Sequence, residues 1–119
     1  MEEFAIMSSM QIAGRHLAVD RKGFLASFDA WDREVAEALA ADQGLILTPR
    51  HWVVIEYLRE YYEEFGHPPS PKLVIQAIGD EISPHVACTR RTLEGLFPVG
   101  GCKQACRIAG LPEYYCHSC

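Results

Sequence analysis

The chain has 119 residues, of which 49% are hydrophobic and 23% charged, a size and composition typical of one globular domain. No apolar run approaches the roughly 18 residues that span a bilayer, and the acidic N-terminus lacks the basic and apolar regions of a secretory signal, so we expect a cytoplasmic protein without membrane insertion. The net charge of −5 argues against direct nucleic-acid binding, which needs a basic surface.

The N-terminal part of the chain predicts a β-hairpin over Met10–Phe24. Two short runs of strand-forming residues flank a turn at Ala13–Gly14, and a second turn follows at Asp20–Gly23. We interpret this hairpin as a structural ribbon.

The rest of the chain predicts helices. Apolar spacing and Ser/Thr-Pro starts indicate helices over Asp29–Ala41, Thr48–Phe65, Ser70–Ile78, Thr92–Phe97 and Cys102–Ala109, with a further start at Ser83–Pro84. Gly66 and Gly110 follow helices at the position where glycine ends them. The predicted core consists of Trp31, Trp52, Ile55, Leu58, Leu93 and Phe97.

These elements predict a mainly α (α+β) fold. A small hairpin packs on a bundle of five or six helices, with a portion that resembles a helix-turn-helix. We expect a single domain over residues 1–112, followed by a flexible cysteine-bearing arm over 113–119.

The cysteines concentrate at the C-terminal end. Four of the five lie in the last 18 residues, namely Cys102, Cys106, Cys116 and Cys119. An odd number of cysteines in a cytoplasmic chain is a poor disulfide framework, so the cluster indicates reactive thiols or a metal site. The histidines at 16, 51, 67 and 85 have no metal-binding spacing, and we expect them at the surface or at an interface.

Helical spacing places Cys102 and Cys106 on one face of the last helix, and Lys103 and Arg107 one residue further round. Adjacent cations and a helix N-terminus both favour the thiolate, which is the nucleophilic form of cysteine. Either cysteine is therefore a candidate nucleophile. The alternative is that Cys106 only packs the helix, because cysteine is among the most buried residue types.

The Cys-x-x-Cys sequence of Cys116–Cys119 has three interpretations. In the first interpretation it is a redox pair, although no thioredoxin-like βαβ pattern surrounds it. It is half of a zinc site completed by Cys102 and Cys106, with His117 as a spare ligand. Or one of its cysteines is a sulfur-bearing thiol on a mobile arm, which can reach another protein or fold back onto Cys106.

The sequence resembles the DsrC/TusE family from about Gly14 to Pro112. The segments that carry the resemblance are Trp52, Tyr57–Gly66, Leu96–Pro98 and Lys103–Pro112. It implies a hairpin-plus-helices fold with a mobile C-terminal arm, and handling of sulfur as a cysteine persulfide or an inter-cysteine trisulfide. Its DsrC branch serves dissimilatory sulfite reductase, and its TusE branch relays sulfur toward 2-thiouridine of tRNA.

The resemblance also assigns roles to residues. It implies that Cys106 is the family's upstream cysteine and that Lys103 and Arg107 are its flanking cations. The family's arm cysteine would fall at position 117, which is histidine here, so Cys116 and Cys119 are the candidates. The family usually has a non-thiol residue at position 102, so the chain resembles a divergent paralogue of the sulfite reductase gamma subunit with extra C-terminal cysteines.

The leading hypothesis is therefore a sulfurtransferase-like carrier, a co-substrate rather than a stand-alone catalyst. We expect a monomer without a cofactor whose partners are sulfur donor and acceptor proteins. Lys103 and Arg107, joined by Arg90 and Arg91, are predicted to form a basic island for an anionic sulfur species or an acidic partner. The alternative is a zinc-stabilised interaction or regulatory module that uses Cys102, Cys106, Cys116 and Cys119; a nucleic-acid-binding regulator is disfavoured by the negative charge.

Overall fold

The computed structural model describes residues 8–20 and 23–111. In chain order these residues form β1 (Ser8–Ile12), β2 (Arg15–Val19), a 3₁₀ turn (Phe28–Ala30), α1 (Arg33–Asp42), α2 (Pro49–Phe65), α3 (Pro71–Ile82), α4 (Arg90–Leu96) and α5 (Cys102–Ile108). The predicted mainly helical fold with an N-terminal hairpin is confirmed. The predicted arm, residues 113–119, lies outside the described residues. None of the described helices is long and apolar enough to cross a membrane.

The hairpin forms around the predicted turn. β1 and β2 are antiparallel, and the two residues between them, Ala13 and Gly14, both have positive φ angles of 54° and 77°. This is the turn geometry that matches the twist of two-residue hairpins. Ile12 and Val19 are buried and attach the ribbon to the helices, where β1 packs against α1.

The first helix begins later than predicted. The sequence pattern indicated a start at Asp29, but α1 starts at Arg33 because Asp32 caps it: the Asp32 carboxylate accepts a hydrogen bond of 3.0 Å from the Val35 amide. Trp31 is consequently in extended backbone between the 3₁₀ turn and the cap, and its side chain is free to reach another element.

The cap of α1 is expected to make stability depend on pH. The Val35 amide and, next, the Arg15 side chain hold the pKa of Asp32 below its ordinary value of 3.8. A lowered folded-state pKa adds stability above the ordinary value that is lost as the pH falls through the folded-state pKa. Asp32→Asn keeps a capping oxygen but removes the charge, so its melting temperature should lie below that of the unsubstituted protein at neutral pH and converge with it in acid. Thermal unfolding at several pH values measures this, with Asp42→Asn at the other end of α1 as the control. If the melting temperature of Asp32→Asn instead falls further below that of the unsubstituted protein as the pH decreases, the charge of Asp32 is not the source of this pH dependence.

α2 is the longest described helix and has the predicted bounds. Pro49 follows the capping Thr48, and Gly66, with φ of 78°, ends the helix. Ile55 and Leu58 are buried as predicted. Trp52, by contrast, is only half-buried, with the Arg33 guanidinium of α1 3.9 Å from its ring centroid. Trp31 is half-buried too. The two tryptophans pack against the core rather than forming its centre.

α3 ends at Ile82, four residues later than predicted. Within the described residues 23–111, no helix begins at Ser83–Pro84. Val74, Ile78 and Ile82 continue one buried stripe to the end of α3. The Ser83 hydroxyl then donates to the Val86 carbonyl at 2.7 Å, which closes a turn instead of capping a helix. The next helix, α4, starts two residues earlier than predicted, after Thr89. Its Leu93 and the following Phe97 are buried, as predicted.

Candidate functional site

The candidate site is built on α5, which packs against α1 and α2. Its inward face consists of Gln104, Ala105, Cys106 and Ile108, all of which are buried. The helix follows Gly101, whose φ of 60° and ψ of −125° are accessible in practice only to glycine. Gly101 therefore permits the sharp turn that aims α5 into the core.

Gln104 fixes the start of α5 from within. Its Oε1 accepts a hydrogen bond of 2.9 Å from the Val99 amide, and its Nε2 donates to Oε1 of Gln43 at 2.6 Å. Both ends of this buried amide are thus satisfied, as a buried polar group requires. Gln104 joins the turn before α5 to the C-terminal end of α1.

Cys106 is 1% exposed and belongs to the hydrophobic core. This burial agrees with the packing alternative of the sequence analysis, and it also restricts any chemistry. A sulfur-bearing group must reach into the site, or the site must open locally, before Cys106 can react. The Cys106 carbonyl accepts a 3.0 Å hydrogen bond from the Leu111 amide, so the chain that leaves α5 begins against Cys106.

The two predicted flanking cations differ in their surroundings. Lys103 is exposed on the outer face of α5. Arg107 is half-buried, and its Nε donates to the Gly23 carbonyl at 3.2 Å, which joins α5 to the segment after the hairpin. Lys103 is therefore available to an anionic group, whereas Arg107 also has a structural contact.

The other two residues of the predicted basic island, Arg90 and Arg91, are exposed at the start of α4. Arg90 borders a surface cavity of about 310 Å³ that extends to Gly101 at the start of α5. Glu94 borders the same cavity, so a carboxylate accompanies Arg90 there. The cavity wall is otherwise formed by Pro71, Leu93, Phe97, Pro98 and Gly100.

The C-terminal end of α5 is held by two side chains from elsewhere in the fold. Trp31 Nε1 donates to the Ile108 carbonyl at 2.7 Å. Arg59 Nη1 donates to the Ala109 carbonyl at 2.8 Å, and its Nη2 donates to the Phe28 carbonyl at 3.0 Å. We call Trp31 and Arg59 the carbonyl clamp.

The Arg59 guanidinium lies between two aromatic rings. It is 3.7 Å from the ring centroid of Phe28 and 4.1 Å from that of Trp31. Desolvation lowers the pKa of Arg59 from its ordinary value, and the charges of Glu63 and Asp29 partly offset this effect. Since arginine remains charged in proteins, the clamp places a partly desolvated cation next to the backbone where α5 ends.

Gly110 fits closely against the clamp. Its φ is 78°, and a Cβ placed on it would lie 2.5 Å from Cδ1 of Trp31. Any larger residue would therefore displace the Trp31 ring as well as adopt an unfavourable backbone conformation.

Sequence reasoning missed the clamp. Trp31 was predicted to be a core residue, and Arg59 has no feature in the pattern of α2 that indicates a contact with α5. The motif Lys103–Pro112 drew attention to the correct helix, but the two side chains that hold its end come from segments about 50 and 77 residues away in sequence.

Of the four cysteines other than Cys106, two lie within the described residues. Cys88 is half-buried between α3 and α4, next to Gly79. Cys102 is the first residue of α5. Cys116 and Cys119 lie outside the described residues, so the pairing of Cys106 with an arm cysteine stays a prediction. Within residues 8–20 and 23–111, no group of three or more His, Cys, Asp or Glu side chains is arranged to hold a metal ion.

A family model described as "DsrC like protein" matches residues 11–116. The chain belongs to the DsrC family. Sulfurtransferase TusE of Pectobacterium atrosepticum is similar to this DsrC-family chain, with 36% identity over 104 residues that cover 87% of the chain and 94% of the relative.

Solved structures agree with this membership. The oxidized gamma-subunit of the dissimilatory sulfite reductase (DsrC) from Archaeoglobus fulgidus is 38% identical, with a TM-score of 0.79 over 88% of this chain and 95% of that one. DsrC of Allochromatium vinosum is also 38% identical, with a TM-score of 0.75 over 88% and 93%. This DsrC-family chain therefore has the DsrC fold.

Proposed function

We propose that this protein is a sulfur carrier that accepts sulfur as a cysteine persulfide and passes it on through Cys106 and Cys116. The observation that supports this most is the contact at the end of α5, where the Leu111 amide bonds to the Cys106 carbonyl. The chain toward Cys116 thus leaves α5 next to the backbone of Cys106. Four residues lie between Leu111 and Cys116, and the five Cα steps span at most about 17 Å, so an arm that folds back over this distance can bring the two sulfurs together.

The proposed chemistry is thiol–disulfide exchange. A donor persulfide transfers its outer sulfur to the Cys116 thiolate and leaves as a thiolate, giving Cys116–S–SH. The Cys106 thiolate then attacks the inner sulfur, so that the Cys106–S–S–Cys116 bond forms, the S–SH bond breaks and sulfide leaves as HS⁻. The outer sulfur is reduced by two electrons, which the two cysteine sulfurs supply. Closing a trisulfide instead requires a disulfide oxidant that accepts two electrons and two protons.

The surroundings of Cys106 suit this role. Burial protects the Cys106 thiol from bulk oxidants, and the reaction requires that the arm reach into the site or that the site open locally. Lys103 is exposed on the neighbouring face of α5, where it can attract an anionic persulfide or an acidic partner surface. The partners proposed are sulfur donors and acceptors of the kinds that the relatives' names indicate, a sulfite reductase or a sulfur relay.

Single Cys→Ser replacements test the proposal. Each variant is incubated with a persulfide donor, and intact mass spectrometry counts the added sulfur atoms and any internal disulfide or trisulfide. Cys106→Ser and Cys116→Ser should abolish the internal linkage, whereas Cys119→Ser should only weaken it, because Cys116 lies one residue from the family's arm position and Cys119 two. Cys88→Ser, between α3 and α4, is the matched control and should load normally.

The other outcomes separate the alternatives. Loss of transfer in Cys119→Ser alone would make Cys119 the arm cysteine. If no replacement changes loading and a chelator unfolds the protein, the zinc-stabilised module with Cys102, Cys106, Cys116 and Cys119 replaces the carrier proposal.

A further inference from the structure

The C-terminal half of α2 carries a row of aromatic rings. Tyr57, Tyr61 and Phe65 occur at every fourth residue, and the ring centroids are 6.0 Å apart from Tyr57 to Tyr61 and 4.4 Å apart from Tyr61 to Phe65. Phe65 is 53% exposed, and the two tyrosines are half-buried. We call these three residues the aromatic ladder. Because they lie one helical turn apart, their rings form a continuous surface about 12 Å long.

Carboxylates border the aromatic ladder. Glu60 and Glu64 follow Tyr57 and Tyr61 by three residues, so each lies on the same side of α2 as a ladder ring. Both are exposed, and neither carboxylate forms an ion pair or a hydrogen bond within residues 8–20 and 23–111.

These two charges are unfavourable for α2 itself. Like charges four residues apart on a helix repel each other. Glu64 also lies in the last turn, where the helix dipole disfavours a carboxylate, and that turn contains no basic residue. A cation brought by another molecule would relieve both effects.

The first half of α2 shows which cation such a surface accepts. There the guanidinium of Arg33, from α1, lies 3.9 Å from the ring centroid of Trp52 and donates to the Glu56 carboxylate at 3.2 Å. One arginine thus contacts an aromatic ring and a carboxylate one turn further along α2. The aromatic ladder offers the same combination of ring and carboxylate twice, but within the described residues no arginine or lysine lies over its rings.

We propose that the aromatic ladder, together with Glu60 and Glu64, is a docking surface for an arginine-bearing helix of a partner protein. A guanidinium matches this surface because it stacks on an aromatic ring and pairs with a carboxylate at the same time. A helix matches it because arginines at every fourth position repeat about every 6 Å, the spacing of the ladder rings along α2. This inference does not depend on the sulfur chemistry proposed for Cys106.

A peptide of defined sequence tests the surface. The probe is a helical alanine peptide of about 16 residues with arginine at every fourth position, and its counterpart has neutral citrulline at those positions. Titration of the full chain under reducing conditions, followed by NMR of the backbone amides, gives the dissociation constants. The arginine peptide should shift the amides of the C-terminal half of α2 and bind about tenfold more tightly than the citrulline peptide.

Two variants separate the parts of the surface. Glu60→Gln combined with Glu64→Gln should weaken binding of the arginine peptide by about fivefold, the equivalent of two exposed ion pairs. The same variant should raise the melting temperature of the free protein, because it removes the repulsion within α2. Tyr61→Leu keeps an apolar side chain without an aromatic face, and it should weaken binding by about threefold.

α3 offers a matched control. Asp80 and Glu81 are exposed near its C-terminal end, and α3 contains no aromatic residue. Asp80→Asn combined with Glu81→Gln removes the same amount of charge from the end of a helix, and it should change the dissociation constant by less than about twofold.

Four outcomes would overturn the proposal. Equal weakening in the α3 control shows a general attraction of the cationic peptide to an acidic protein. Equal affinity of the arginine and citrulline peptides shows that the guanidinium is not recognised. Unchanged binding in the Glu60 and Glu64 double variant places the peptide elsewhere, whether or not Tyr61→Leu folds. If sedimentation shows that the chain alone forms a dimer which this double variant dissociates, the occupant of the aromatic ladder is a second copy of the chain.

Discussion

Replacing Gly110 by alanine should lower the free energy of unfolding by about 3 kcal/mol, because two unfavourable effects add at this position. The backbone has a φ of 78°, which a residue with a Cβ adopts only with strain. The new methyl group would also lie 2.5 Å from Cδ1 of Trp31, so the indole would have to move away from the Ile108 carbonyl. Urea denaturation measures the change.

Gly66→Ala separates the two effects. Gly66 has the same φ of 78°, but nothing lies within 4 Å of a Cβ placed on it. Its replacement should therefore cost only the conformational part, about 1 kcal/mol. If Gly110→Ala and Gly66→Ala destabilise equally, the close contact with Trp31 has no energetic weight, and the fit of Gly110 against the clamp is not a constraint on the end of α5.

The fold was predictable where local chemistry determines it. The hairpin turn at Ala13–Gly14 and the bounds of α2 follow from turn residues, a capped proline start and a terminal glycine, all of which act within a few residues. The errors arose where two local signals compete within a few residues: Asp32 rather than Asp29 caps α1, so this helix begins later than predicted. Ser83–Pro84 has the sequence of a helix start, but Ile82 is buried at the end of α3 and Ser83 closes a turn instead.

The site was predictable to a similar degree. The motif around Cys106 indicated the correct helix. The predicted membership of the chain in the DsrC family is confirmed. The burial of Cys106 and the bonds from Trp31 and Arg59 are tertiary facts, since they depend on how α1 and α2 pack against α5. A pattern along one segment carries no information about the bonds from Trp31 and Arg59, and it gave burial of Cys106 only as one of two alternatives.

His51 shows the same limit, because it was predicted at the surface or at an interface and is instead buried within the fold, with only 5% of its surface exposed. Its Nδ1 accepts from the Thr48 amide at 3.0 Å, three residues earlier, which is the role that Glu or Gln has in a capping box. Its Nε2 is 2.7 Å from the Leu96 carbonyl, and since Nδ1 is the acceptor, Nε2 carries the proton and donates it. The ring joins the start of α2 to the end of α4, with Phe97 packed edge-on against it at 5.1 Å. The spacing Thr48-x-x-His51 was the available signal.

His51→Leu should therefore lower the free energy of unfolding by about 2 kcal/mol, since it removes both hydrogen bonds of the buried ring, to the Thr48 amide and to the Leu96 carbonyl. His51→Gln restores an acceptor at the capping-box position but cannot replace the bond to Leu96, so its loss should be about half as large. His85→Leu, at an exposed position, is the control and should change stability by less than about 0.5 kcal/mol. Urea denaturation of the three proteins gives the comparison. If His51→Leu and His85→Leu change the free energy of unfolding equally, the bridge between α2 and α4 contributes nothing to stability. If the loss is largest in His51→Leu, smaller in His51→Gln and smallest in His85→Leu, one part of the stability comes from the cap and another from the bond to Leu96.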